Sequence, residues 1–260
     1  MQLSPDQLTE LESLASQVVT AVDLESQRVL LETLGETSTR FELGLLTEES
    51  PDDSSRHRHD HFWCIDPLDG TLAFTKGLPG YAVSIALVAR DGTPRIGVVF
   101  DPVTATLYHA VHRKGARKNG KRWTIPPRLP GAPLSLMIDH SFIEQANEPT
   151  FRNQLEDLAA KSGYQGTRII DHAGAALNAC RVVEHAPALY FKFPKPQPGG
   201  GSLWDFAATT CLFAELGLPA GDIHGHPLKL NPRDRTFMNH HGVCFASHPA
   251  LASAAANLGR

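Results

Sequence analysis

The chain has 260 residues, 42% of them hydrophobic, which is enough for one large domain or two compact ones around a sizeable core. Its net charge of −4 gives no electrostatic basis for a nucleic acid polymer or an anionic membrane as the main partner. No apolar run approaches the ~20 residues that span a bilayer, and the N-terminus lacks the pattern of a secretory signal. Because the four cysteines lie far apart within apolar runs, we predict a cytoplasmic protein with reduced core cysteines.

The N-terminal segment is predicted to be helical. Ser4 and Pro5 form a typical helix start, and Leu8, Leu11 and Leu14 follow at helical spacing. The apolar periodicity permits one long helix. A short apolar strand is predicted at residues 43–46. The charged segment 51–61 contains a histidine-rich stretch at residues 57–61. This stretch could suggest a metal site, but a solvated loop is the favoured interpretation.

The chemistry is concentrated at residues 62–71. Four apolar residues with the pattern of a buried strand run directly into Asp66 and Asp69, and Pro67 stiffens the turn between them. Two neighbouring carboxylates repel each other unless a cation lies between them, and oxygen ligands suit Mg²⁺. Gly70 and Thr71 offer backbone amides that suit a phosphate. A plain surface turn is the alternative, since Asp, Pro and Gly are turn residues.

The remaining elements divide the chain into two halves. Strands separated by short turns at residues 81–111, followed by a hairpin turn at 118–121, predict an antiparallel meander. The proline-rich residues 126–131 suggest a boundary, so we predict one half at 1–128 and another at 129–260. Strand and helix patterns then alternate, which predicts a mixed sheet flanked by helices. The predicted strands are 134–138, 167–170, 188–191 and 243–246, and the predicted helices are 148–161, 174–184, 203–216 and, weakly, 249–260.

The motif D-P-L-D-G-T at 66–71 resembles the D-P-[IL]-D-G-T signature of the inositol monophosphatase family. Further family-like elements follow the family's order, from residue 19 to residue 246. They include T-A-V-D at 20–23, T-E-E-S at 47–50 and L-W-D-F-A-A at 203–208. The resemblance implies an α+β fold, a layered α-β-α-β-α sandwich with an antiparallel-sheet half and a mixed-sheet α/β half. It also implies a break near Thr20, with Asp23 beginning a second helix to about Leu34. The polar residues 36–40 themselves predict a connection after that helix.

The resemblance also implies roles for individual residues. Two Mg²⁺ ions are expected, and a third is left open because the loop that precedes the T-A-V-D element in the family is shortened here. Asp23, Thr71 and Glu48 are expected to activate the attacking water, with a plain helix cap as the alternative for Asp23. Gly70 and Thr71 are expected to receive the phosphate. The implied metal ligands are Glu48, Asp66, the Leu68 carbonyl, Asp69 and Asp205.

The substrate side is predicted from four residues. Gly174 and Ala175 resemble a substrate-side turn of the family. Lys192 stands where inositol monophosphatases carry a glutamate, and a cation there favours a second phosphate over an uncharged polyol; a solvated surface lysine is the alternative. His140, next to Asp139, lies where the nucleotidase branch has its S-R-S-H element, which is missing here, and a strand-end turn is the alternative for both residues. Residues 222–228 and 237–243 nevertheless resemble the 3'(2'),5'-bisphosphate nucleotidase branch.

The resemblance implies a Mg²⁺-dependent, lithium-sensitive phosphatase that acts on a small phosphorylated metabolite. The favoured reaction is removal of the 3'-phosphate of adenosine 3',5'-bisphosphate. An inositol monophosphatase or a broad sugar-phosphate phosphatase is the alternative, and an inactive relative that only binds a ligand is an alternative of another class. A homodimer is left open.

Overall fold

The computed structural model describes residues 5–127, 131–139 and 142–258, with side chains from residue 21 onward. The helices are α1 (Pro5–Arg40), α2 (Thr71–Thr75), α3 (Ile143–Asn147), α4 (Pro149–Lys161), α5 (Ala175–Glu184), α6 (Leu203–Leu216) and α7 (Pro249–Ala255), with a short 3-10 helix at Ser55–His57. The strands are β1 (Gly44–Thr47), β2 (His61–Asp69), β3 (Ala82–Ala89), β4 (Pro94–Asp101), β5 (Thr106–Val111), β6 (Gly115–Lys118), β7 (Lys121–Arg122), β8 (Leu134–Met137), β9 (Thr167–Ile170), β10 (Ala188–Lys192), β11 (Ala220–Gly221) and β12 (Val243–Ala246).

The described strands form two sheets. The first runs in order from β1 to β7 and is antiparallel, except that β1 pairs parallel with β2. The second has the order β11-β12-β10-β8-β9 and is mixed, since β10, β8 and β9 are parallel and β12 is antiparallel to β10. Helices α5 and α6 lie between the sheets, α1 packs on the first sheet, and α4 and α7 cover the second. The predicted α-β-α-β-α sandwich is confirmed.

Helix α6 is central because it packs against strands of both sheets. Eight of its 14 residues are buried, on several sides of the helix, as is typical of a helix enclosed between two layers. Phe206 and Phe213 both contact Phe245 of β12, and the main hydrophobic cluster continues into β2 through Phe62 and Cys64. This packing fixes the first turn of α6 beside the end of β2. All four cysteines are free and buried, as predicted.

Helix α1 is continuous, so the break near Thr20 and the polar connection at residues 36–40 are wrong. No proline interrupts the helix after Pro5, and a Cβ added at Gly35 would have no neighbour within 4 Å, so nothing forces an end there. The last turns are polar but are held to the sheet, since the Trp63 indole donates to the Ser38 hydroxyl at 3.0 Å. Asp23 therefore lies inside a helix and does not cap one.

The loop before β2 is not solvated throughout, contrary to prediction. The Arg56 side chain is only 2% exposed and pairs with Asp52 at 2.8 Å. It also donates to Asn231 and to the Pro232 carbonyl, 2.7 and 2.8 Å away. The loop is thus anchored to the C-terminal part of the chain. Over the described residues, its histidines belong to no group with metal-ligand spacing.

The first sheet takes residues from 44 to 122 and the second from 134 to 246, so the proposed boundary at 128 falls between them. The division into 1–128 and 129–260 stays a prediction, since α6 of the second half packs mainly on the first sheet. None of the described helices combines the length and the apolar character needed to cross a bilayer.

Candidate metal centre

The centre begins where β2 ends. In a regular strand, residues three positions apart point to opposite faces, so Asp66 and Asp69 would diverge. The pairing of β2 with β3 shifts register between these two residues, and this irregularity lets both carboxylates reach one place. The Leu68 amide donates to Asp66 at 3.0 Å, and the Ser26 hydroxyl donates to the Pro67 carbonyl at 2.9 Å. Helix α1 therefore supports the turn from outside.

Asp205 joins this pair from the first turn of α6. Ser202 caps the helix, and the Asp205 side chain accepts the Ser202 amide in a capping box. One carboxylate oxygen from each of Asp66, Asp69 and Asp205 lies within 4.8 Å of the others. These residues come from the end of a strand and the start of a helix that are distant in sequence. The structure thus brings together three carboxylates that the sequence predicts to be metal ligands.

Asp69 is held by the N-terminus of α5. Its two oxygens accept the amides of Ala175 and Ala176 at 2.9 and 2.8 Å. A helix N-terminus favours a negative charge, so this contact stabilises the ionised carboxylate. Gly174 permits the approach, because a Cβ there would lie 2.4 Å from the Asp69 carboxylate. The Ala175 amide is therefore engaged by Asp69, while its assignment to substrate stays a prediction.

Glu48 lies next to the three carboxylates, and Asp23 lies near Glu48 and Glu49. Glu48 follows β1, its amide donates to the Ile65 carbonyl at 3.2 Å, and its side chain is hydrogen-bonded to Asp66. Glu48 is exposed at one side, but desolvation of its carboxylate and then the charge of Asp205 raise its pKa to about 7. Asp23 is buried on α1, where burial and then Glu49 raise its pKa to about 6. Glu48 therefore adjoins the centre, whereas the catalytic roles of Glu48 and Asp23 stay predictions.

The electrostatics of the centre fit divalent cations. Burial, reinforced by the neighbouring carboxylates, raises the pKa of Asp66 well above its usual range and that of Asp69 to about 8. Burial is also the main cause that raises the pKa of Asp205. Without a cation, such a group can remain together only by retaining protons. Oxygen-only ligands of this kind match Mg²⁺, and the ligand assignments, including Glu48 and the Leu68 carbonyl, stay predictions.

Gly70 and Thr71 connect β2 to α2. Gly70 adopts a φ of 89°, and a Cβ there would lie 2.7 Å from the Gly80 carbonyl. The Thr71 hydroxyl donates to the Leu68 carbonyl at 3.2 Å, so it lies beside an oxygen that is predicted to bind metal. Their roles in phosphate binding and water activation stay predictions.

A cavity of about 240 Å³ opens beside the carboxylates. Asp69, Asp205, Gly174, Ala175 and Lys192 all contribute to its lining. The Lys192 side chain, at the end of β10, is only 17% exposed, which contradicts the alternative of a solvated surface lysine. The fourth predicted substrate residue, His140, lies outside the described residues.

Several residues that line this cavity were not predicted from the sequence to belong to the site. Asp139 has the pattern of a strand-end turn, but its carboxylate pairs with Lys192 at 2.8 Å. Leu72 and Leu78 line the same cavity and are 48% and 40% exposed. Two leucines closely after D-P-L-D-G-T are the available signal, since apolar side chains grouped on a cavity wall are typical of ligand-binding grooves. Lys76 and His172 complete the rim, and nothing in their sequence context marks them.

Comparison with known proteins adds independent evidence. The sequence profile of the inositol monophosphatase family matches residues 2–259. The 3'(2'),5'-bisphosphate nucleotidase CysQ of Salmonella typhimurium is 31% identical over 223 residues, which cover 85% of this chain and 82% of the relative. Inositol-1-monophosphatase of Bacillus subtilis is 27% identical over 242 residues, 93% of this chain and 83% of the relative. Nus factor SuhB of Pasteurella multocida is 30% identical over 210 residues, with coverage of 80% and 72%.

Solved structures share the fold. An IMPase/NADP phosphatase complexed with NADP and Ca²⁺ superimposes with a TM-score of 0.71 at 19% identity, covering 96% of this chain and 90% of that one. Inositol monophosphatase-II from Staphylococcus aureus gives a TM-score of 0.71 at 20% identity, with coverage of 97% and 86%. At these identities the likeness supports the architecture alone.

Proposed function

The chain belongs to the inositol monophosphatase family of phosphoric monoester hydrolases, and we propose that it removes the 3'-phosphate of adenosine 3',5'-bisphosphate with Mg²⁺ as cofactor. The resemblance to CysQ, at 31% identity, supports this substrate class. The small phosphorylated metabolite is its partner, and the cytoplasm is its proposed location. The four buried, free cysteines are consistent with a reducing compartment.

The position of Lys192 in the cavity is the observation that supports a bisphosphate substrate. Its ammonium group shares one cavity with Asp69 and Asp205, so it lies within reach of a molecule whose first phosphate meets the carboxylate cluster. Burial alone would lower the pKa of Lys192, but Asp139, Asp205 and Asp69 outweigh burial and raise it. The side chain is therefore a permanent cation. A cation at this position favours an anionic second phosphate over a neutral hydroxyl.

The apolar wall of the cavity supports the same choice. Leu72 and Leu78 present exposed side chains beside Ala73, and the cavity faces them. A nucleobase would cover these surfaces and remove them from water, at roughly 25 cal/mol per Å² of apolar area. An inositol ring presents hydroxyl groups on its edge, and these groups would find no hydrogen-bond partners on the apolar wall. The wall thus favours a nucleotide over a polyol phosphate.

The proposed mechanism assigns a task to each group around the cluster. Glu48, Asp66 and the Leu68 carbonyl would hold one Mg²⁺, and Asp66, Asp69 and Asp205 a second. The two ions would lower the pKa of the attacking water and neutralise charge on the leaving oxygen. Asp23, with a pKa of about 6, would accept the proton of that water. Thr71 would orient the water, and the Gly70 and Thr71 amides would bind the phosphate oxygens.

A phosphate-release panel tests the proposal. The purified protein with Mg²⁺ is assayed on adenosine 3',5'-bisphosphate, adenosine 5'-monophosphate, inositol 1-phosphate and fructose 1,6-bisphosphate, with and without Li⁺. We expect lithium-sensitive release from the bisphosphate nucleotide at a kcat/KM at least about 100-fold above that for inositol 1-phosphate. Methionine at position 192 (Lys192→Met) should remove most of this preference. A higher kcat/KM for inositol 1-phosphate would reject the nucleotide assignment.

Two alternatives give different results in this panel. An inositol or sugar-phosphate phosphatase, suggested by the 27% identity to the Bacillus subtilis enzyme, would prefer the monophosphates. A relative that only binds ligands would release no phosphate from any substrate, and an Asp69→Asn variant would then match the wild type. We expect Asp69→Asn to lose at least about 100-fold in kcat, because it removes a charged ligand from the centre.

A further inference from the structure

Lys192 lies in an unusual place for a cation. The cavity that it lines also contains Asp69 and Asp205, two of the three clustered carboxylates. A lysine ammonium and a divalent cation compete for the same oxygen atoms, because both are attracted by the same negative charge. Over the described part of the chain, however, the carboxylate within ion-pair distance of Lys192 is that of Asp139, at 2.8 Å.

Asp139 is itself fixed by buried groups. One of its oxygens accepts hydrogen bonds from the Tyr190 hydroxyl at 3.0 Å and from the Asn178 amide at 3.2 Å. Both donors are fully buried, on β10 and α5 respectively. The other oxygen receives the Lys192 ammonium. Tyr190 and Lys192 lie two residues apart on one strand, so their side chains reach Asp139 from the same face.

We propose that Asp139 is a positioning residue that keeps the Lys192 ammonium out of the metal centre. The inference rests on the proposed function in one respect, that the acidic cluster binds a divalent cation. By pairing with Asp139, the Lys192 ammonium is held away from Asp69 and Asp205 but still lines the cavity, where it can meet an anionic group of the substrate. The clustered carboxylates then remain available to the metal.

The expected behaviour without Asp139 follows from the surroundings of Lys192. Its ammonium also lies 5.5 Å from the centroid of the Phe206 ring. This cation–π contact is weaker than an ion pair and would not replace the lost counter-ion. A buried ammonium without a counter-ion is strongly unfavourable. Since the lysine stem is flexible, the group would turn towards Asp205 and Asp69, the next carboxylates that act on it. It would then occupy the oxygens that bind the metal.

Calorimetric titration of the full-length protein with Mg²⁺, without substrate, tests this inference. We expect Asp139→Asn to weaken Mg²⁺ binding by about tenfold or more. We expect the double variant Asp139→Asn/Lys192→Met to bind Mg²⁺ as tightly as Lys192→Met alone, within about twofold, because the competing ammonium is gone. Asp157→Asn, which removes a 73% exposed carboxylate on α4, is the matched control and should leave the affinity unchanged.

The double variant separates positioning from general damage. If Asp139 only supported the fold, the double variant would bind Mg²⁺ as weakly as Asp139→Asn, and that result would overturn the inference. Unchanged affinity in Asp139→Asn would overturn it as well. Failure of the wild type to bind Mg²⁺ would overturn both the inference and the proposed function. Normal binding combined with a preference for inositol 1-phosphate would reject only the proposed substrate.

Discussion

The carboxylate of Asp69 accepts the backbone amide of Ala175 at 2.9 Å, although the two residues are 106 positions apart. This hydrogen bond joins the end of β2 in the first sheet to the first turn of α5 in the second half of the chain. It places one acid of the metal centre on the N-terminus of a helix that also lines the cavity. The geometry of the centre therefore depends on how the two sheets pack.

Gly174→Ala should disturb this contact directly. Gly174 has a φ of −65°, which alanine also adopts, so the effect comes from space and not from backbone strain. The new Cβ would lie 2.4 Å from the Asp69 carboxylate and displace it. We expect kcat/KM to fall by about 100-fold, since small displacements of catalytic groups cost this much. Steady-state phosphate release measures it.

The matched control for Gly174→Ala is Gly35→Ala. Gly35 lies in α1 with open space around it, so alanine should keep full activity and raise the melting temperature slightly. Equal activity of the two variants would show that Asp69 tolerates the added methyl group, against the predicted displacement.

Asp23→Asn should slow the chemical step. Asp23 is buried on α1 near Glu48 and Glu49, and its raised pKa of about 6 suits a group that accepts a proton near neutral pH. We expect kcat to fall by about 10²- to 10⁴-fold while the Mg²⁺ concentration for half-maximal activity stays the same. The neighbouring Leu24→Ala, on the exposed side of the helix, should change neither value. Full recovery of kcat at high Mg²⁺ would instead identify Asp23 as a metal ligand.

Arg56→Leu should destabilise the protein without a direct effect on the site. The buried Arg56 guanidinium connects Asp52 to Asn231 and Pro232, so its loss leaves several polar groups unpaired. We expect the free energy of unfolding to fall by about 2–4 kcal/mol in urea titrations. The exposed Arg58→Leu should cost less than about 1 kcal/mol. Equal losses in both variants would mean that the buried position of Arg56 contributes nothing.

The stability of the metal-free protein should depend on pH in a particular direction. The folded-state pKa of Asp69, about 8, and that of the likewise buried Asp66 both lie above the ordinary value of 3.8. Between these limits the folded chain holds protons that the unfolded chain has released, so stability falls as pH rises and levels off above the folded pKa values. Stability from these groups is fully present only below about pH 4.

Thermal unfolding in EDTA measures this dependence. We expect the melting temperature to be at least about 5 °C lower at pH 8.5 than at pH 6, because each pKa unit is worth about 1.4 kcal/mol. Saturating Mg²⁺ should abolish most of the difference by neutralising the carboxylates. The Asp69→Asn variant should show a smaller difference in EDTA. A melting temperature that rises with pH in EDTA would contradict the raised pKa values.

Local patterns in the amino-acid sequence predict most of the strands and helices, and they include the three acids that cluster in the structure. The strand before Asp66, the hairpin turn at residues 118–121 and the helix that carries Asp205 all have strong local patterns, and the structure confirms them. Such patterns are readable because they depend on side-chain periodicity and turn chemistry within a few residues. Local patterns permitted one long α1 but missed its last turns, where Ser38 among the polar residues 36–40 is bonded to Trp63, which is distant in sequence.

Where these elements meet depends on contacts between residues that are far apart in the chain. Nothing local to Asp139 indicates that Tyr190 and Asn178 hold it against Lys192, and nothing local to Gly174 indicates its contact with Asp69. Both arrangements arise where the ends of β2, β8, β10 and two helices converge between the packed sheets. The physical reason is that burial and charge act through space, so a side chain's role depends on neighbours that the order of residues does not reveal.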